Sequence, residues 1–123
     1  MTVFAQPPRK GHGVDLSVEN HQRGSRTVLT VTGEVDVYTA ATLREQLLRH
    51  TSAENTHAVV DLSNVGFIDS TGIGVLVGAL KRIRNAGGEL ELVIGRASTM
   101  KVFRITGLVE VFTIYDSLDQ VPE

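Results

Sequence analysis

The sequence predicts a single α/β domain built on a mixed, mostly parallel sheet of about five strands. Three observations carry that prediction. Strand-like and helix-like segments alternate in the order ββαβαβαβα, which implies right-handed crossovers between parallel neighbours. The segment His57-Ala58-Val59-Val60-Asp61-Leu62 is apolar at consecutive positions, as a strand buried on both faces of a sheet is. A chain of 123 residues, 41% hydrophobic and 21% charged, suits one domain around one core.

Residues 1–12 contain Pro7-Pro8, Arg9-Lys10 and Gly11 without periodicity. They are expected to form a flexible N-terminal tail, with the domain spanning 13–123. Val14-Asp15-Leu16-Ser17-Val18 alternates apolar and polar as a half-buried strand does. His21 to Arg26, with Gly24, reads as a turn, and the β-branched run Thr27 to Thr32 as the second strand of a hairpin. Gly33 is expected to end that strand. Asp36 or Thr39 can then cap a helix from about Thr39 to His50, with Ala40, Leu43 and Leu47 on its apolar face. Ser52 to Thr56 reads as a polar loop.

After the His57–Leu62 strand, Ser63-Asn64 is expected to turn the chain, and Val65 and Phe67 to return to the core. A helix follows Ser70, with Ile73, Leu76, Val77, Leu80 and Ile83 at helical spacing. Its opposite face carries Thr71, Gly74, Val75, Gly78 and Arg82, and Gly87-Gly88 ends it. Glu89 to Ile94 reads as a strand. Ser98 can cap a short helix through Met100, Val102, Phe103 and Ile105, with Gly107 at its end. Glu110 to Ile114 alternates as a last strand, and Asp116 can cap a terminal helix with Leu118 and Val121.

The bulk properties exclude several functions. A net charge of −2, with Lys and Arg dispersed, gives no global attraction to nucleic acid or anionic membranes. The absence of cysteine excludes disulfides and thiolate chemistry. No apolar run approaches the ~20 residues that span a bilayer, and residues 1–12 lack a signal-peptide apolar region. The expectation is a cytoplasmic protein. Four histidines (His12, His21, His50 and His57) fall in the tail, a turn, a helix end and a strand start, so none is placed as a base for a serine nucleophile. No metal-ligand spacing, phosphate loop or nucleophile elbow is present, and no cofactor is implied. Asp36, Asp61 and Asp69 read either as a Mg²⁺-binding cluster or as caps and loop ends.

One stretch stands apart, Gly66-Phe67-Ile68-Asp69-Ser70-Thr71-Gly72-Ile73-Gly74-Val75-Leu76-Val77. It sets a hydroxyl beside a carboxylate at the start of a helix, where free N–H groups and the positive end of the dipole favour an anion. Ser70 reads as an N-cap, as a first-turn residue behind an Asp69 cap, or as a phosphorylation site. A phosphate there adds nearly two negative charges. The helix end would accommodate it, while Asp69, Asp36 and Glu34 would repel it. Gly74 and Gly78 read either as sites of internal close packing or as a flat face for a partner.

Val60-Asp61-Leu62-Ser63 followed by Phe67-Ile68-Asp69-Ser70-Thr71-Gly72-Ile73-Gly74-Val75-Leu76 resembles the signature of bacterial anti-sigma factor antagonists of the STAS-domain family. Gly33-Glu34-Val35-Asp36, Gly87-Gly88 and Phe103-Arg104-Ile105-Thr106-Gly107-Leu108 match as well. The resemblance covers about residues 14–121. It implies a small sheet with helices packed mainly on one face, and a protein that is not itself an enzyme. It implies a partner, an anti-sigma factor that is also a serine kinase using ATP and Mg²⁺. Binding that partner would free a sigma factor; phosphorylation of Ser70 would end binding; a PP2C-type phosphatase would reverse it. Asp36 and Asp69 would flank the corner, with Thr71, Gly74 and Gly78 on the docking face. Thr71 stands where the family often has Ser, a second hydroxyl open to modification. The other readings are a STAS module that senses a ligand or serves a scaffold without phosphorylation, and a small enzyme using an Asp cluster.

Overall fold

A computed structural model of the chain describes residues 16–51 and 57–123. Five strands form one sheet in the order β1-β2-β3-β4-β5: β1 (Ser17–Arg23), β2 (Arg26–Val35), β3 (His57–Ile68), β4 (Glu89–Val93) and β5 (Thr113–Tyr115). Only β1 is antiparallel to its neighbour; β2 through β5 pair in parallel. Three α-helices among the described residues make the crossovers, α1 (Ala40–His50), α2 (Ser70–Asn85) and α3 (Ala97–Ile105). Each crossover moves one strand along in the same direction. Right-handed connections of that kind put every helix on the same face of the sheet.

That face holds the main core. Leu29, Val31, Ala58, Val60, Leu62, Leu90 and Leu92 of the sheet pack with Leu43 and Leu47 of α1, Leu76, Ala79, Leu80 and Ile83 of α2, and Phe103 of α3. Phe112 meets Phe103 edge to face, with ring centroids 6.0 Å apart. The other face carries Val28, Val59 and Val93, covered by Val121 with Leu118 and Tyr115. Alternation across β3 therefore buries both of its faces, which is why its sequence is apolar at consecutive positions. Burial of Leu and Val side chains at about 1.5–3 kcal/mol each is the main stabilising force.

Several local expectations are corrected. The hairpin turn is only Gly24-Ser25; β1 begins at Ser17 and runs on to Arg23, β2 extends past its expected bounds at both ends, and Val14-Asp15 of the expected first strand lie outside the described residues. Gly33 does not end β2; the strand runs on to Val35 with a register shift after Gly33. Ser63-Asn64 does not turn the chain, because β3 continues to Ile68. There Ser63 N–H donates to the Asp61 carboxylate at 3.0 Å, and pairing with β2 resumes at Asn64 with one extra residue in β3. The turn signal is real but marks a bulge.

Ser98 does not cap α3, which starts at Ala97 behind Arg96 without a side-chain cap. The 110–114 strand is a 3-10 turn (Leu108–Glu110) followed by the short β5, and the last helix is only a 3-10 turn, Leu118–Gln120, behind Ser117. Gly87 ends α2 as expected. Its φ of +85° lets Gly88 N–H reach Ile83 O at 2.9 Å and Gly87 N–H reach Arg84 O at 3.0 Å. The expected tail (1–12) and polar loop (52–56) lie outside the described residues.

Candidate functional site

Strands β2 and β3 are parallel neighbours, and Val35 is paired with Ile68 at their shared end. The next residue in each strand is an aspartate, and a helix begins just beyond. The two exits are tied together by Asp69 N–H donating to Val35 O at 3.0 Å.

Asp69 caps α2, whereas neither Asp36 nor Thr39 caps α1 with its side chain; Asp36 instead holds the turn leading into that helix. Asp69 Oδ1 accepts from Thr71 N–H at 2.9 Å and from Gly72 N–H at 3.1 Å. Asp36 Oδ1 accepts from Tyr38 N–H at 2.9 Å and from Thr39 N–H at 3.1 Å. Thr39 flanks α1, but its hydroxyl turns back, donating to Glu34 O at 2.7 Å and accepting from Asp36 N–H at 3.0 Å.

Ser70 is thus the first helical residue and not the cap; its side chain is exposed. Thr71 beside it is exposed as well. Gly72 is buried because α2 lies directly on the strand ends. A Cβ at position 72 would stand 2.3 Å from Val35 Cγ1 and 3.0 Å from Ile68 Cγ1. Gly74 and Gly78 differ. A Cβ at either would meet nothing within 4 Å, so internal close packing does not explain them. They floor an open groove of about 410 Å³ with Thr71, walled by Arg44 and Leu47 of α1 and by Arg82 of α2.

The sequence reading missed the apolar rim. Val37 and Tyr38, between β2 and α1, are 65% and 60% exposed, and Phe67 is 50% exposed. Phe67 was expected in the core. It pairs with Glu34 while the next residue, Ile68, is buried. Alternation allows only one of two adjacent strand residues to face the helices, and that signal was available in the sequence. Arg44 of α1, which the sequence does not single out, borders the groove as well.

The expected acidic residues are not gathered as a metal cluster. Asp36 and Asp69 share the corner, but Asp61 pairs with Thr30, five residues before Val35 on β2 or about 17 Å at the usual strand rise. Among the described residues no group of three His, Cys, Asp or Glu is placed to hold a metal. His57 starts β3, next to Ala58, whose partner Thr27 lies eight residues before Val35 on β2 or roughly 26 Å at the usual strand rise. There it contacts Glu91 at 3.3 Å. Glu91 is buried and also receives Arg26 Nε at 2.9 Å and Tyr115 OH at 3.1 Å. Arg26 and Arg23 in turn donate to Pro122 O at 2.9 Å and Val121 O at 3.1 Å, so this second polar cluster holds the last residues over the back of the sheet. Burial, then the Glu91 charge, pushes the Tyr115 hydroxyl up.

Sequence and structure comparisons agree with this architecture. The chain belongs to the STAS domain family, whose model matches residues 17–121. An anti-sigma-B factor antagonist of Bacillus subtilis is 33% identical over 101 residues, 82% of this chain and 92% of that protein. Its namesake in Listeria monocytogenes is 35% identical over 102 residues, 82% of this chain and 90% of that protein. The crystal structure of an anti-sigma factor antagonist from Mycobacterium paratuberculosis is similar with a TM-score of 0.78 and 26% identity, covering 85% of this chain and 89% of the other.

Proposed function

We propose that this chain is an anti-sigma factor antagonist, working in the cytoplasm without catalytic activity of its own, whose binding is switched off by phosphorylation of Ser70. The observation that carries the reading is the exposed Ser70 at the start of α2, next in sequence to Thr71 of the open glycine-floored groove. The relatives named anti-sigma-B factor antagonist support the role.

In the unphosphorylated state the rim residues Val37, Tyr38 and Phe67, with Thr71, Gly74 and Gly78, receive an anti-sigma factor that is a serine kinase. Holding that factor frees its sigma factor. The kinase supplies ATP and Mg²⁺. Ser70 Oγ attacks the γ-phosphoryl group, the Oγ–P bond forms as the bond to ADP breaks, and the hydroxyl proton leaves to a base on the kinase. The product carries nearly two negative charges against an interface that must lose its water. Asp36, Asp69 and Glu34 offer that charge no compensation, so the partner dissociates. A PP2C-type phosphatase returns the chain to the binding state.

The test is labelling by the kinase and ATP followed by mass spectrometry. Phosphate is expected on Ser70 and none on Ser70→Ala. Undiminished labelling of Ser70→Ala would move the switch elsewhere, for example to Thr71. No labelling at all, with a small molecule bound instead, would favour the ligand-sensing reading.

A further inference from the structure

We infer that Asp69 keeps a phosphate on Ser70 off the end of α2, so that its charge stays on the surface for a partner to read. This rests on the reading of Ser70 as a phosphorylation site. A helix start normally leaves its first N–H groups free, and an anion nearby is drawn to them. Here they are taken. Asp69 N–H donates to Val35 O, and Ile73 N–H to Asp69 O, both at 3.0 Å. Thr71 and Gly72 N–H both donate to the Asp69 carboxylate. Only the N–H of Ser70 itself remains for the phosphate.

The turn leading into α1 has its own amides in use. Asp36 Oδ1 holds the Tyr38 and Thr39 amides, and Asp36 O accepts from Ala40 N–H at 2.8 Å. The cations that line the groove are Arg44, in the second turn of α1, and Arg82, twelve residues beyond Ser70 or about 18 Å of helix rise. The Asp69 carboxylate thus closes the start of α2, and Asp36 holds the turn that leads into α1. A phosphate arriving at Ser70 gains little from the fold and disturbs it little. Its effect is left to the interface.

The experiment places phosphoserine at position 70 during translation of the full chain, so it needs no kinase. Failure of the kinase reading leaves it intact. Amide spectra and melting temperatures are compared with and without the phosphate in three proteins: the natural chain, Asp69→Asn and Asp69→Gly. Asn keeps a capping oxygen without the charge, and Gly is tolerated at a cap while freeing the amides. In the natural chain and in Asp69→Asn, the Thr71 and Gly72 amide protons are expected to stay in place on phosphorylation, with no rise in melting temperature. In Asp69→Gly both protons should move downfield and the melting temperature should rise. Downfield movement of those amides in the natural chain would overturn the inference. So would an unchanged Asp69→Gly spectrum, or a phosphate found on Arg44.

Discussion

Asp36 and Asp69 stand at matching positions, one residue past the paired ends Val35 and Ile68, and each carboxylate accepts two N–H groups of the chain entering the next helix. The repeat arises because β2 and β3 are parallel neighbours that both hand over to helices on one side of the sheet. It sets Ser70 beside two carboxylates whose hydrogen bonds are already used by the backbone.

That arrangement makes Asp69 a structural residue as well as a neighbour of the proposed switch. Asp69→Ala should lower stability by about 1 kcal/mol, the usual worth of an N-cap, and Asp69→Asn by less. Urea midpoints for the two variants decide it. Equal losses would mean that charge, and not the hydrogen bonds, is what α2 requires.

The glycines of α2 should respond with opposite signs. Gly72→Ala forces a methyl into Val35 and Ile68, and overpacking of this kind costs about 1–3 kcal/mol. Gly74→Ala and Gly78→Ala enter open space and should each stabilise by up to ~1 kcal/mol through helix propensity. The same two variants should weaken partner binding, because the methyl groups fill the groove floor. Thermal melts paired with binding titrations separate the two effects.

His50 gives the chain a pH-dependent element. Burial, and next the charge of Arg49, hold its pKa below the usual 6.5, and Asn20 Nδ2 lies 3.4 Å from its Nε2. A depressed folded-state pKa means that the unfolded chain binds the proton more readily. The stability His50 contributes is therefore present above pH 6.5 and is lost as pH falls through the lower folded value. His50→Gln should flatten that part of the stability profile, measured by denaturation at a series of pH values. An identical slope in both proteins would remove His50 from the explanation.

The exposed rim should matter to binding and not to folding. Tyr38→Ala and Phe67→Ala remove side chains that are 60% and 50% exposed, so folding stability should change by less than about 0.5 kcal/mol. Aromatic anchors at the centre of an interface are worth about 2 kcal/mol or more. Calorimetric titration against the anti-sigma factor should show a loss of that order. Unchanged affinity in both variants would move the interface away from the β2 and β3 ends.

Much of this fold is legible in the sequence because its signals are local and repeated. The run Ala58-Val59-Val60 marks a central strand, the spacing of Leu76, Leu80 and Ile83 marks a buried helix face, and Gly87-Gly88 marks its end. The misreadings share one cause. Ser63-Asn64, Gly33 and Ser98 carry turn, break and cap signals that are correct locally but overridden by sheet pairing or by where the chain enters a helix. At the candidate site, Asp69, Ser70 and Gly74 are visible from residue type and order. The Asp36–Asp69 correspondence, the exposure of Phe67 and the position of Arg44 are not, because each depends on how β2 and β3, or α1 and α2, lie side by side. Of the helix-start readings open for Ser70, the structure selects a first-turn residue behind an Asp69 cap, with the Thr71 and Gly72 amides both given to Asp69.

The switch itself is tested most directly by the affinity of the anti-sigma factor kinase for the natural chain, for the chain phosphorylated at Ser70, and for Ser70→Ala. Phosphorylation should leave the fold intact by circular dichroism yet abolish measurable binding, while Ser70→Ala still binds and cannot be switched off by kinase and ATP. Equal affinity of the phosphorylated and unphosphorylated chains would contradict the role proposed for Ser70.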